Sequence, residues 1–120
     1  MKHRESGIQA AIMGFLDRAL PASYRAFAIP NGGKRNAITG AILKREGVKA
    51  GVPDICIVRS GGSIAFLEVK TPEGSLSNSQ REFRDWCGEH AVPFAVVRGI
   101  GDVEAALLDW DVPLKARASV

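Results

Sequence analysis

Asp54, Glu68 and Lys70 are the residues of this sequence whose types and spacing could do chemistry together. Residues 54–59 and 64–70 are two β-favouring runs, and Ser60-Gly61-Gly62-Ser63 between them has the composition of a hairpin connection. Asp54 opens the first run directly after Gly51-Val52-Pro53, and Glu68 and Lys70 stand two apart near the end of the second. Residues two apart on a strand point to one face, so Glu68 and Lys70 share a side of the sheet. If the Gly61-Gly62 turn sets the register, Asp54 pairs close to Val69, and the Asp54 and Glu68 carboxylates lie on adjacent strands within reach of one hard cation. Two carboxylates leave several positions of an octahedral Mg²⁺ free for water and a phosphate oxygen. A lysine beside them can orient an attacking water and offset charge developing on a phosphoryl group.

Each piece alone has an ordinary explanation. Pro-Asp is commonly a strand start, and Glu-x-Lys on a strand is commonly a solvated face with a weak ion pair. Here, however, the flanking Ile55, Ile57, Ala65, Phe66 and Leu67 are apolar and predict a buried, central hairpin. Charged groups at the end of such a hairpin carry a desolvation cost that calls for a reason.

The elements that must position these residues follow from periodicity. Ile8, Ala11, Ile12, Phe15, Leu16 and Leu20 recur at helical spacing and predict an amphipathic helix ending near Pro21. Residues 26–29 are a short apolar run stopped by Pro30 and Asn31-Gly32-Gly33, a strand leading into a loop. Residues 37–46 predict a basic helix closed by Gly47. After the hairpin, residues 71–76 read as a loop, and Ser77-x-x-Gln80 has the spacing of a capping box opening a helix with Phe83, Trp86 and Cys87 on its buried face. Residues 93–98 predict another strand, and Val103, Ala106, Leu107 and Trp110 a last helix with Asp102 as its N-cap. The order αβαββαβα predicts an α/β fold, a mixed sheet flanked by helices.

With 120 residues, 46% hydrophobic and 24% charged, the chain predicts one domain over residues 1–120. Its apolar stretches are too short for a membrane span or secretory signal, and Cys56 and Cys87 lack disulfide or zinc spacing, which predicts reduced thiols and a cytoplasmic location. His3 and His90 are too few and too far apart to suggest a nitrogen- and sulfur-ligated metal. Residues 34–49 hold five basic residues (Lys34, Arg35, Lys44, Arg45, Lys49) against Glu46 alone, so they outweigh the net +3 of the whole chain. That excess suits a polyanion such as nucleic acid, and equally a solvated helix face.

In this order and on a hairpin, Asp54, Glu68 and Lys70 resemble the PD-(D/E)xK nuclease motif. Further segments are similar to one branch of that superfamily, the VRR-NUC (virus-type replication-repair nuclease) domain. They are Glu5 with Ile8-Gln9, Pro30-Asn31-Gly32-Gly33, Gly47-Val48-Lys49-Ala50-Gly51-Val52-Pro53-Asp54-Ile55, Phe66-Leu67-Glu68-Val69-Lys70, and Gly74-Ser75-Leu76-Ser77 followed by Gln80, which together span nearly the whole chain. The resemblance implies a restriction-endonuclease-like fold and a Mg²⁺- or Mn²⁺-dependent nuclease that hydrolyses DNA phosphodiesters without an organic cofactor. Some members cut branched structures such as Holliday junctions. It implies Glu5, Asp54, Glu68, Lys70 and Gln80 as site residues, with Asp54, Glu68, the Val69 carbonyl and, through water, Glu5 around the metal. Glu5 also suits a helix dipole, and Gln80 also suits the capping box.

DNA contacts fall to Asn31, Lys34, Arg35, Lys44, Arg45 and Lys49, where turn amides and cations can meet phosphates. No added DNA-binding domain or long basic tail is visible, as in stand-alone phage and bacterial members. Paired nicks in a four-way junction call for two copies related by symmetry, and the resemblance implies homodimers; Ile38, Ile42 and Leu43, or Trp110 and Leu114, are the interface candidates. The alternatives are a duplex, flap or nicking endonuclease of the same fold, and a catalytically silent nucleic-acid-binding module.

Overall fold

A computed structural model describes residues 2–30 and 37–118, with side chains from residue 4 onward. Its elements run α1 (Lys2–Ala19), β1 (Tyr24–Ala28), α2 (Ala37–Arg45), β2 (Ile55–Arg59), β3 (Ile64–Val69), α3 (Asn78–Glu89), β4 (Phe94–Val97) and α4 (Ile100–Asp109), the order expected from the sequence. The strands lie side by side as β1-β2-β3-β4, antiparallel across the first two pairings and parallel between β3 and β4.

Strand alternation sorts the side chains between two layers. Ile55, Ile57, Leu67, Val69 and Val97 are buried against Ile12, Phe15, Leu16 and Ala19 of α1 and Val103 and Leu107 of α4. The other face carries Cys56, Phe66, Glu68 and Phe94, and α3 packs there through Phe83, whose ring meets Phe66 edge-on at 5.3 Å and Phe94 at 6.4 Å. Both cysteines are free and buried, and burial raises both thiol pKa values. Among the described residues no helix is long and apolar enough to cross a membrane.

The hairpin register differs from the expected one by a residue, with consequences for the site. Ile55 pairs with Leu67 and Val58 with Ile64, and the Arg59 amide donates to the Ser63 carbonyl at 2.9 Å. The connection is therefore the three residues Ser60-Gly61-Gly62, made possible by φ values of +99° and +103° at the two glycines. Continuing this register sets Asp54 opposite Glu68, whereas pairing with Val69 would have turned the two carboxylates to opposite faces.

Three other expectations change. Trp86 is 50% exposed, because its ring stacks on His90 at 4.4 Å along the outside of α3 instead of entering the core. The N-cap of α4 is Gly99, and Asp102, in the first turn, reaches back to accept from the Arg98 amide at 2.8 Å. Trp110 and Leu114 pack against the core, so they are not a spare surface for a second copy. α2, by contrast, buries none of its residues.

Candidate active site

The parallel and antiparallel pairings of β3 meet at its last residues, and the site is built there. Asp54 precedes β2 and is pinned twice: its carbonyl accepts from the Ile29 amide at 2.7 Å, and its Oδ2 accepts from the Val69 amide at 2.7 Å. The β1 end, the β2 start and the β3 end are thus tied through one aspartate. Glu68 is 1% exposed, the one buried charged side chain among the described residues. Its Oε2 accepts from Gln80 Nε2 at 3.2 Å, while its Oε1 is buried with no hydrogen-bond partner.

Burial and the Asp54 carboxyl beside it push the Glu68 carboxyl up to about 9, with Glu5 adding to the rise and Lys70 opposing it. The same interactions locate Glu5 and Lys70 electrostatically. Glu5, in the first turn of α1, is half-buried and near enough to act on Glu68, and Lys70 follows β3 on the Glu68 face. Asp54, Glu68, Lys70 and Gln80 are therefore brought together, with the Val69 backbone among them through its amide, while Glu5 acts on Glu68 by its charge and makes no three-carboxylate metal cluster with it and Asp54. Lys44, Arg45 and Lys49 are exposed on and after α2, within the connection that leaves the sheet beside Asp54 and returns to it. Asn31, Lys34 and Arg35 lie outside the described residues.

The donor set fits a hard divalent cation. Two carboxyl groups share a face, Glu68 retains an unpartnered buried oxygen, and a cation between them would remove the repulsion that raises the Glu68 pKa. Among the described residues no three His, Cys, Asp or Glu side chains gather as a complete cage. That leaves coordination positions to water, backbone oxygen and a ligand, as suits Mg²⁺ or Mn²⁺.

Gln80 holds the helix and the site in one side chain. Ser77 caps α3 by accepting from the Gln80 amide at 3.2 Å, and Gln80 Oε1 accepts in return from the Ser77 amide at 2.8 Å. The capping box leaves Nε2 pointing at Glu68, so both readings of Gln80 hold geometrically.

Sequence reasoning missed the contact that seats α3. Gly51, at φ +87°, lies so close to the helix that a Cβ there would fall 2.3 Å from the Ser79 carbonyl oxygen. Its neighbourhood in Gly51-Val52-Pro53-Asp54 was visible, but the partner 28 residues on was not. Gly51→Ala is expected to cost about 1–3 kcal/mol in a urea titration and to weaken cleavage, since both the backbone conformation and the approach of Ser79 oppose a side chain. An unchanged midpoint would mean that α3 is seated elsewhere.

The VRR-NUC domain model matches residues 20–100. The chain belongs to the VRR-NUC family. The match takes in Asp54, Glu68, Lys70 and Gln80 and begins after α1, so Glu5 stands outside it. Among solved structures, a VRR_NUC domain protein superposes with a TM-score of 0.68 at 20% identity, covering 89% of this chain and 87% of its own. A second VRR_NUC domain gives 0.59 at 18% identity, covering 88% and 95%. No curated protein matches. The VRR-NUC chain described here thus has the PD-(D/E)xK, restriction-endonuclease-like fold and is a nuclease-type domain.

Proposed function

We propose that this VRR-NUC domain is a Mg²⁺- or Mn²⁺-dependent DNA endonuclease that hydrolyses phosphodiester bonds in branched DNA, a Holliday junction among them. The observation that carries the reading is the Glu68 carboxyl, buried beside Asp54 with one oxygen unpartnered and Lys70 on the same face. A silent binding module has no use for so costly an arrangement.

Asp54 and Glu68 would hold the cation, with the Val69 carbonyl and, through water, Glu5 completing the protein's share. When bound, it supplies Lewis-acid polarisation of a phosphate oxygen and acidifies water beside the phosphorus. Asp54 is held in place by the Val69 amide, so its carboxylate spends no rotamer freedom on binding. Gln80 fixes the rotation of the Glu68 carboxylate by donating to Oε2 and leaves Oε1 for coordination. Lys70 places an ammonium where charge grows on the non-bridging oxygens and orients the attacking water.

A panel of junction, flap, splayed and linear DNA, each with Mg²⁺, Mn²⁺ or EDTA, tests the reading. Faster cutting of the four-way junction than of its linear arms supports it. Equal rates favour a duplex endonuclease, and metal-independent binding without cutting favours the silent module.

Lys44, Arg45 and Lys49, exposed in the connection that leads to Asp54, would track phosphates. Replacing Lys44 and Arg45 by Gln is expected to weaken binding for every sequence and reduce the slope of log K against log salt by about one per lost contact. An unchanged slope would make them a solvated face. Two copies would supply the paired nicks of a junction, and Ile38, 75% exposed on α2, with Ile42 beside it would make that contact. Light scattering with and without junction DNA tests the dimer.

A further inference from the structure

We infer that Arg98, at the junction of β4 and α4, is a positioning residue for the nuclease reaction proposed above, holding the loop that sets Lys70 and Gln80 around Glu68. The inference rests on that reading. Lys70 directly follows β3, and Gln80 stands at the third position of α3; the seven residues between Lys70 and Asn78 decide how the two side chains meet. The Arg98 guanidinium grips this loop by its backbone. Its Nη1 donates to the Thr71 and Gly74 carbonyls at 2.7 Å each and lies 3.4 Å from the Pro72 carbonyl.

Arg98 is itself fixed at its base. The preceding residue, Val97, accepts from the Lys70 amide at 3.0 Å, and the Arg98 amide donates to Asp102 in the first turn of α4. The grip therefore runs from the sheet end and the α4 start to a loop on the opposite side of Lys70. Among the described residues no carboxylate forms an ion pair with this guanidinium, so its charge is directed at carbonyl dipoles, which strengthens each bond. A planar fork can satisfy two carbonyls from one nitrogen in a fixed plane; an ammonium on a flexible stem cannot hold them in that relation.

The same loop has a second tie that serves as an internal control. Arg4 pairs with the Glu73 side chain at 3.1 Å, but both partners are more than half exposed, and such pairs are screened and weak. It restrains a side chain, not the backbone between Lys70 and Gln80. Arg4→Ala should therefore behave as wild type.

The test uses Arg98→Met, which keeps the apolar stem, and Arg98→Lys, which keeps the charge, with Arg4→Ala beside them. Amide hydrogen exchange at Gly74, Ser77 and Gln80 is measured without metal or DNA, and single-turnover cleavage and DNA affinity are measured with both. Arg98→Met is expected to speed exchange at these amides and to lower the cleavage rate by about tenfold to a hundredfold, with affinity and melting temperature unchanged. Arg98→Lys should fall between, and it carries the test if Arg98→Met does not fold. Unchanged exchange and rate in both variants overturn the inference. A loss confined to affinity also overturns it and makes Arg98 a phosphate contact, and a uniform fall in stability makes it merely structural. A wild-type protein that cuts no DNA in any metal overturns the nuclease reading and the positioning role with it, whereas an active wild type with an equally active Arg98→Met overturns the positioning role alone.

Discussion

Glu68→Gln is expected to lower DNA cleavage by at least about a thousandfold while leaving the metal-free protein folded and, at alkaline pH, more stable than wild type. The two halves of this result have one cause. Glu68 is buried beside Asp54 with its carboxyl pushed up to about 9, so without metal it is neutral at pH 7, and glutamine is close to its neutral form in shape. The unfolded chain holds the same group near 4.5. A folded pKa above the unfolded one gives stability that is full below about pH 4.5 and is lost as pH rises through about 9. Wild-type protein in EDTA should therefore lose stability across that window, and Glu68→Gln should not lose this part. Cation binding must displace the proton, so metal affinity in the wild type should climb with pH over the same range. Urea titrations at pH 6 and pH 9 in EDTA, with cleavage at matched metal, check all of this. Retained turnover would remove Glu68 from the site, and parallel pH curves for the two proteins would place the titrating group elsewhere.

Lys70→Met should show a different pattern, with turnover reduced about a hundredfold and DNA affinity little altered. The stem of the side chain is kept and the charge removed, so an interaction made in the transition state is lost while ground-state packing survives. A second effect separates this from simple damage. Lys70 is the charge that opposes the rise at Glu68, so its removal should push the Glu68 carboxyl higher still and move the pH dependence of metal binding in the alkaline direction. A loss in affinity alone would make Lys70 a phosphate anchor.

The hairpin, the capping box and the closing strand and helix were legible in the sequence because each rests on local chemistry: alternation around Ile55 and Leu67, a serine three residues before Gln80, a glycine pair at the turn. The register was not, since Ser60-Gly61-Gly62-Ser63 accommodates an even or an odd loop, and the choice lies in φ at two glycines. Nor was the state of Glu68, which depends on Asp54 from the neighbouring strand and Gln80 from α3 together. Trp86 shows the limit of periodicity. Its position suits the buried stripe of α3, but the sheet beneath is already filled by Phe66 and Phe94 against Phe83, and the indole turns to His90. The grip of Arg98 on three carbonyls leaves no trace in spacing at all.

The carboxamide of Gln80 has consequences beyond holding two groups. Its oxygen belongs to the first turn of α3 and its nitrogen to Glu68, so helix fraying and carboxyl ionisation draw on one rigid plane and become linked equilibria. Ionising Glu68 strengthens the pull on Nε2 and so tightens the first turn; loosening that turn in exchange favours the protonated acid. Linkage of this kind has the same size in both directions. A glutamate at 80 would keep the acceptor for the Ser77 amide but turn like charge toward Glu68, and an alanine would surrender both ends, so the helix start cannot be tuned without retuning the acid. The N-terminus of α3 is in this sense an instrument that reads the protonation of the site, with its own backbone amides as the scale.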